Sequence, residues 1–205
     1  VGLIVMVVET TGIGNTLSLM LADWAGGSLI IALVLVAPAS LVLSMGLPVT
    51  AAYIVLATLS APALYNLIAD AQLVELIAAG QTLPEAVSAM LMLAAPDKLP
   101  LLGQAMSDAD ARGILDALRS IDPSLVTGLY EQALDPGMAL GILLSAHMIV
   151  FWLSQDSNVT PPVCLTAFAA AAIAGTRQIP TGFTAWKLAK GLYIMPILFA
   201  YTPFL

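Results

Sequence analysis

Apolar runs that break partway along their length constrain this chain more than any other feature of its sequence. Residues 28–44 form an apolar run of roughly 25 Å at about 1.5 Å per residue. Gly46-Leu47-Pro48 then interrupts it, and a second apolar run covers 49–68. The interruption has a chemical cause: glycine is permissive, proline lacks an N–H, and the residue before a proline is biased out of the helical region. Further on, an apolar run over 138–153 gives way to Ser154-Gln155-Asp156-Ser157-Asn158-Val159-Thr160-Pro161-Pro162. A short helix is expected after it, over 163–175. Such a helix is too short to cross a bilayer, which needs about 20 apolar residues.

These runs need lipid around them. Hydrophobic residues make up 60% of the chain and charged residues 9%, against about 45–50% and about 25% in soluble proteins. We therefore expect an all-α membrane protein, a multispanning helical bundle with discontinuous helices or re-entrant hairpins.

Three regions follow from the patterning. Residues 1–68 are expected to hold membrane helices with the first interruption, 69–136 a polar helical insert outside the membrane, and 137–205 membrane helices with the second interruption. The insert carries ten of the thirteen acidic residues against Lys98, Arg112 and Arg119, so it holds the whole net charge of −7. Its helix signals are local. Thr82-Leu83-Pro84-Glu85 and Ser107-Asp108-Ala109-Asp110 resemble capping boxes, and Asp122-Pro123 offers a cap followed by proline at the first helical position. About three short amphipathic helices are expected there, ending at Asp135-Pro136-Gly137.

At the N-terminal end the apolar pattern stumbles at Glu9-Thr10-Thr11-Gly12-Ile13-Gly14-Asn15 and resumes, as in a broken helix or a hairpin tip. Val1 lies inside an apolar stretch with no charged leader or cleavage site, which reads as part of a longer chain. Near the other end a polar connection over 176–184 leads into a final run over 185–205. Arg177, Lys187 and Lys190 place the 176–190 loop on the cytoplasmic side by the positive-inside tendency.

Non-helical backbone survives at membrane depth only where protein, water or an ion satisfies its N–H and C=O groups. Helix N-termini present amides to an anion, and C-termini with unwound carbonyls suit a cation. Paired discontinuous helices therefore point to a transport site. At the first break Ser44 and Thr50 place hydroxyl oxygens beside the freed carbonyls near Met45, Gly46 and Leu47, a hard-cation environment. A plain aqueous turn between two spans reads equally well there. At the second break Ser154, Gln155, Asp156, Ser157, Asn158 and Thr160 supply polar side chains, and an ordinary external loop is the competing reading. An intramembrane Asp156 is a charge partner or ion ligand unless its loop is wet. His147 reads as a hydrogen-bonded packing residue or a proton relay.

Other classes drop out. No Walker-type loop, His-Glu-x-x-His or Gly-x-Ser-x-Gly elbow is present, and Asp156 has no partner acid for proteolysis except Glu9, so an enzyme is not expected. Cys164 is the only cysteine, which excludes an internal disulfide and reads as a small buried hydrophobe. The acidic balance argues against nucleic acid as a partner.

Leu43-Ser44-Met45-Gly46-Leu47-Pro48-Val49-Thr50-Ala51-Ala52-Tyr53 and Asp156-Ser157-Asn158-Val159-Thr160-Pro161-Pro162-Val163-Cys164-Leu165-Thr166, with Thr181-Gly182-Phe183-Thr184-Ala185 and Tyr201-Thr202-Pro203, carry a family resemblance. They resemble the large permease subunit of tripartite ATP-independent periplasmic (TRAP) transporters, particularly the fused permeases that work with a TAXI-type binding protein. The resemblance covers about 1–68 and 137–205. It implies an elevator-type secondary transporter of the bacterial inner membrane, importing organic acids with Na⁺ after delivery by a periplasmic TAXI-type solute-binding protein. No cofactor is implied beyond Na⁺ as coupling ion.

Carried to matching positions, Ser44, Gly46, Pro48 and Thr50, with Asp156, Ser157, Asn158, Thr160 and Pro161, would line the ion and carboxylate sites. Na⁺ is expected at Gly46, Thr50, Asn158 and Thr160. Thr10, Thr11 and Gly12 would belong to a neighbouring hairpin. The chain reads as the C-terminal half of an inverted repeat, needing the N-terminal permease portion or a small membrane subunit. The long insert departs from the family pattern. Ser157-Asn158-Val159-Thr160 also resembles hairpin tips of divalent-anion/Na⁺ symporters that need no binding protein, and a structural membrane subunit whose breaks are only loops is the remaining alternative.

Overall fold

The computed structural model describes residues 2–12, 16, 20–21, 23–44, 47–82, 84–94, 96–97 and 103–202. Among these residues the chain is helical and has no strand. In chain order the helices are α1 (Gly2–Thr11), α2 (Leu29–Ser44), α3 (Val49–Ala78), α4 (Glu85–Ala94), α5 (Asp108–Ile121), α6 (Pro123–Ala133), α7 (Pro136–Val159), α8 (Leu165–Ala174), α9 (Gln178–Leu188) and α10 (Ile194–Tyr201). A 3₁₀ turn over Ala189–Tyr193 joins the last two. The chain forms two compact units, one of Val1–Leu67 with Leu143–Leu205 and the other of Ile68–Ile142.

In the first unit α2 shows why these sequences need a bilayer. Leu29, Ala32, Leu33, Val36, Ser40 and Ser44 are buried, at the spacing of one helix face. The opposite face is apolar as well, with Ile30, Ile31, Val34 and Val42 exposed. A helix apolar all round belongs in a core or in lipid, and half of this one has no protein cover. The same holds for Leu143, Leu144, Met148 and Phe151 on α7 and for Ile194, Ile197 and Leu198 on α10. By length and apolarity α3 and α7 are candidate membrane spans. At 30 and 24 residues they are about 45 Å and 36 Å long.

The helix α3 runs ten residues past the expected end of its apolar run at 68. The polar side chains beyond Ile68 change which surface the helix can face, not whether it can continue. What stops it is Gly80, at φ +66, where Gln81 N–H bonds the Leu76 carbonyl (3.3 Å) and Gly80 N–H the Ile77 carbonyl (3.1 Å). This pattern satisfies the last free carbonyls of the helix. The loop passes so close that a Cβ on Gly80 would stand 2.6 Å from the Gln104 carbonyl carbon.

The second unit packs an amphipathic α5 against α4 and α6, burying Ala111, Ile114, Leu115 and Leu118, and Leu73, Leu91 and Leu129 are buried in the same unit. Ser107 caps α5: its oxygen accepts from the Asp110 N–H at 3.2 Å, while its hydroxyl donates to Asp110 Oδ2 at 2.7 Å. The helix α6 begins at Pro123 after Asp122. Asp135 Oδ1 accepts from the N–H groups of Gly137 and Met138, capping α7 with Pro136 at its first position. One charged cluster is part-buried. Asp70 accepts from Arg119 (2.7 Å) on one oxygen and from the Tyr130 hydroxyl (2.8 Å) on the other. Burial, then the Asp70 carboxylate, pushes the Tyr130 phenol well above its usual range. For Arg119 burial acts downward, but the Asp70 carboxylate outweighs it and the guanidinium ends raised.

Two expectations about loops are corrected. The polar stretch 154–159 is helical, forming the end of α7, and the interruption is confined to 160–164. Ser154 donates to the Phe151 carbonyl (2.6 Å) and Ser157 to the Ser154 carbonyl (3.4 Å), so these hydroxyls bond within the helix instead of unwinding it. The break waits for Pro161, which biases residue 160 out of the helical region. Likewise 178–184, expected as connection, is the start of α9, and the final run is interrupted by the 3₁₀ turn at Ala189–Tyr193.

Candidate functional site

The second interruption joins a helix C-terminus to a helix N-terminus. The helix α7 ends at Val159, and the Thr160 N–H still reaches the Asp156 carbonyl at 2.8 Å. Pro161 and Pro162 make the turn, and α8 starts at Leu165 with Cys164 at its N-cap. No side chain caps that end. Its amides and the positive end of its dipole suit an anion, and the last carbonyls of α7 suit a cation.

Asp156 lies in the last turn of α7, 1% exposed, with neither carboxylate oxygen hydrogen-bonded. An isolated buried carboxylate costs several kcal/mol unless it is neutralised or paired. The Trp152 indole N–H, one turn earlier on the same helix face, is buried and unpartnered as well. Ser154 and Ser157 are buried beside Asp156 in sequence, their hydroxyl protons turned to α7 carbonyls and their oxygens left as acceptors. Asn158 Oδ1 accepts from the Thr166 hydroxyl at 3.4 Å, a contact that ties the two sides of the break together.

A third segment closes on the break. Gly182 on α9 is buried, and a Cβ placed on it would stand 2.5 Å from Cys164 Sγ and 3.5 Å from Pro161 Cγ. Only a residue without a side chain lets α9 pass this close. The Tyr193 hydroxyl lies 3.3 Å from Thr160 Oγ1 and accepts from the Trp186 indole N–H at 2.9 Å. Sequence reasoning passed over Trp186 and Tyr193 and used Gly182 only as part of a matching stretch. The available signal was an isolated glycine in a helical run, followed by two aromatic residues with polar tips.

At the first interruption Met45 and Gly46 lie outside the described residues, so the cation position expected at Gly46 does too. Leu47 sits in a bend, its N–H on the Ser44 carbonyl at 3.1 Å, and α3 begins after Pro48. Ser44 is buried, with its hydroxyl donated to the Ser40 carbonyl. Thr50 is exposed in the first turn of α3. Ser40 Oγ stands 3.5 Å from the Leu153 carbonyl of α7. Each break begins within two turns of this contact along its own helix, roughly 10 Å at 1.5 Å per residue.

The hairpin candidates Thr10 and Thr11 are exposed and belong to α1, each donating its hydroxyl to a carbonyl one turn back (Met6 at 2.7 Å, Val7 at 2.6 Å). Gly12 follows at φ +67. Ile13, Gly14 and Asn15, and the Glu9 side chain, lie outside the described residues. His147 Nδ1 lies 3.0 Å from the Tyr53 hydroxyl, a hydrogen bond between α7 and α3 flanked by Phe151 edge-on to the Tyr53 ring. The contact ties α7 to α3. Cys164 is buried.

Among the described residues no three His, Cys, Asp or Glu side chains gather as a metal cluster. Oxygen ligands for a hard monovalent cation would come here from carbonyls, hydroxyls and a single carboxylate. A family model described as the DctM component of tripartite ATP-independent periplasmic transporters matches residues 1–205. No curated protein and no solved structure matches the chain.

Proposed function

Because the chain belongs to the DctM family, the permease component of tripartite ATP-independent periplasmic transporters, we propose that it forms part of the path through which an organic acid crosses the membrane with a coupling cation. Membership makes it a membrane transporter component and not an enzyme. In this proposal the coupling ion is Na⁺, the substrate is a carboxylate, a periplasmic TAXI-type binding protein delivers it, and the membrane is the bacterial inner membrane. The N-terminal permease portion or a small membrane subunit supplies the remainder of an elevator-type transporter.

The observation that carries the reading is Asp156, whose two carboxylate oxygens are buried without a partner one turn from the end of α7. A cation placed there gains a carboxylate, the C-terminal carbonyls of α7 and the negative end of its dipole. Asn158 offers a further oxygen, and Gly46 and Thr50 at the first break, matched through the family resemblance, are proposed as the remaining oxygen donors. Ser44, Ser157, Pro48 and Pro161 shape the two junctions. On the other side of Pro161-Pro162 the uncapped amides of α8 favour the substrate carboxylate. Cation and anion thus occupy opposite helix ends of one break, and each lowers the cost of binding the other.

Uptake of radiolabelled carboxylates by the complete transporter in proteoliposomes tests this reading. An inward Na⁺ gradient drives accumulation when the loaded binding protein is present, and neither component suffices alone. Accumulation that ignores Na⁺ contradicts the coupling, and full uptake without a binding protein contradicts the delivery step.

A further inference from the structure

Three hydroxyl and indole groups form a chain that leads into the break, and its polarity can be worked out. The Trp186 indole N–H donates only, so at 2.9 Å it occupies a lone pair of the Tyr193 oxygen. A phenol that accepts a hydrogen bond becomes a better donor, and it is a stronger acid than an aliphatic hydroxyl. The Tyr193 proton therefore goes to Thr160 Oγ1, 3.3 Å away. The Thr160 oxygen then accepts from within the protein, and its own proton is the group left to offer.

We propose that Trp186 and Tyr193 are positioning residues that hold Thr160 as a hydrogen-bond donor to the substrate's carboxylate. The proposal rests on the reading of this break as the transport site and moves Thr160 from the cation side, where the family resemblance put it, to the anion side. Two further observations favour that side. Thr160 follows the last residue of α7 and precedes the uncapped N-terminus of α8 by a few residues, so its donor and the α8 amides belong to one anion-facing segment. The close packing of Gly182 against Cys164 and Pro161 brings α9, which carries Trp186, against that segment. The 3₁₀ turn at Ala189–Tyr193 places Tyr193 seven residues beyond Trp186, where the two polar tips meet.

The experiment measures uptake by the complete transporter with its binding protein, using radiolabelled succinate, glutamate, pyruvate and benzoate. The acid that the wild type carries fastest is then used throughout. Tyr193→Phe keeps the ring and removes the donor. It is expected to raise the half-saturating concentration of substrate about fivefold to tenfold, leaving the half-saturating Na⁺ concentration unchanged. Trp186→Phe shifts it less, in the same direction. Thr160→Val reproduces the defect, Thr160→Ser restores near-normal values, and Tyr193→Phe adds nothing on top of Thr160→Val. A Tyr193→Phe variant as good as wild type, beside a defective Thr160→Val, overturns the proposal and leaves the transport site standing. A defect confined to the Na⁺ dependence overturns it as well. A silent Thr160→Val overturns this proposal and leaves the α8 amides as the carboxylate's site, whereas a wild type that carries none of the four acids overturns the carboxylate reading as well.

Discussion

A Cβ on Gly182 would stand 2.5 Å from the sulfur of Cys164, closer than carbon and sulfur can approach. This contact fixes α9 against the start of α8, and it predicts a compensating pair. Gly182→Ala alone is expected to destabilise the protein by about 1–3 kcal/mol and to impair uptake. Cys164→Ala removes the obstructing sulfur, and the double variant is expected to recover most of the stability and uptake. Thermal unfolding in detergent and uptake in proteoliposomes check both. No recovery in the double variant would place the strain elsewhere.

Asp156 predicts a trade between stability and function. Its carboxylate is buried with neither oxygen bonded, so Asp156→Asn relieves the desolvation of a charge and is expected to leave thermal stability unchanged or raise it. Coupled uptake is expected to fall at least tenfold, roughly the loss of one charge-assisted contact. A variant that unfolds earlier than wild type would instead make Asp156 a structural residue.

In the second unit the Asp70–Tyr130 bond is expected to be worth about 1 kcal/mol, measured as the coupling in an Asp70→Asn, Tyr130→Phe double-mutant cycle. The Tyr130 phenol is raised in the folded protein by burial and then by Asp70. The folded state therefore holds its proton more tightly than the unfolded chain does. That contribution is complete below the unfolded value of about 10 and is lost as pH rises above it. The wild type should thus lose stability above pH ~10 more steeply than Tyr130→Phe. Identical alkaline profiles would contradict the assignment.

Caps give a sharper comparison. Ser107→Ala removes the acceptor for the Asp110 N–H and is expected to cost about 1 kcal/mol. Gly80→Ala meets both a positive φ and the Gln104 carbonyl carbon at 2.6 Å, and is expected to cost more, about 2–4 kcal/mol. Equal effects in thermal unfolding would mean that the 103–107 loop gives way.

What could be read from the sequence divides by range. Ser107 with Asp110, and Asp122 before Pro123, announced helix starts because capping involves residues three apart. Pro161 announced a break because its missing N–H and ring act on the adjacent residue. The extent of the break was not legible. Ser154 and Ser157 look like loop residues in sequence, yet within α7 they bond back to carbonyls three residues earlier. The continuation of α3 to Ala78 was missed because polarity marks where a helix leaves its apolar surroundings, not where its backbone ends. Tyr193 and Trp186 left only the faint signal of two polar-tipped aromatic residues after an isolated glycine, for another reason. Their role depends on α9 folding back onto residue 160, and nothing local to either residue encodes that contact.

The central claim is that the break between α7 and α8 is the coupled binding site. Na⁺-driven uptake by the complete transporter carrying Asn158→Ala or Thr160→Ala tests it most directly, with folding verified by unchanged thermal unfolding. Both variants are expected to lose at least about tenfold in uptake, Asn158→Ala by weakening Na⁺ dependence and Thr160→Ala by weakening substrate dependence. Unchanged Na⁺-driven uptake in both well-folded variants would mean that these residues form only a turn.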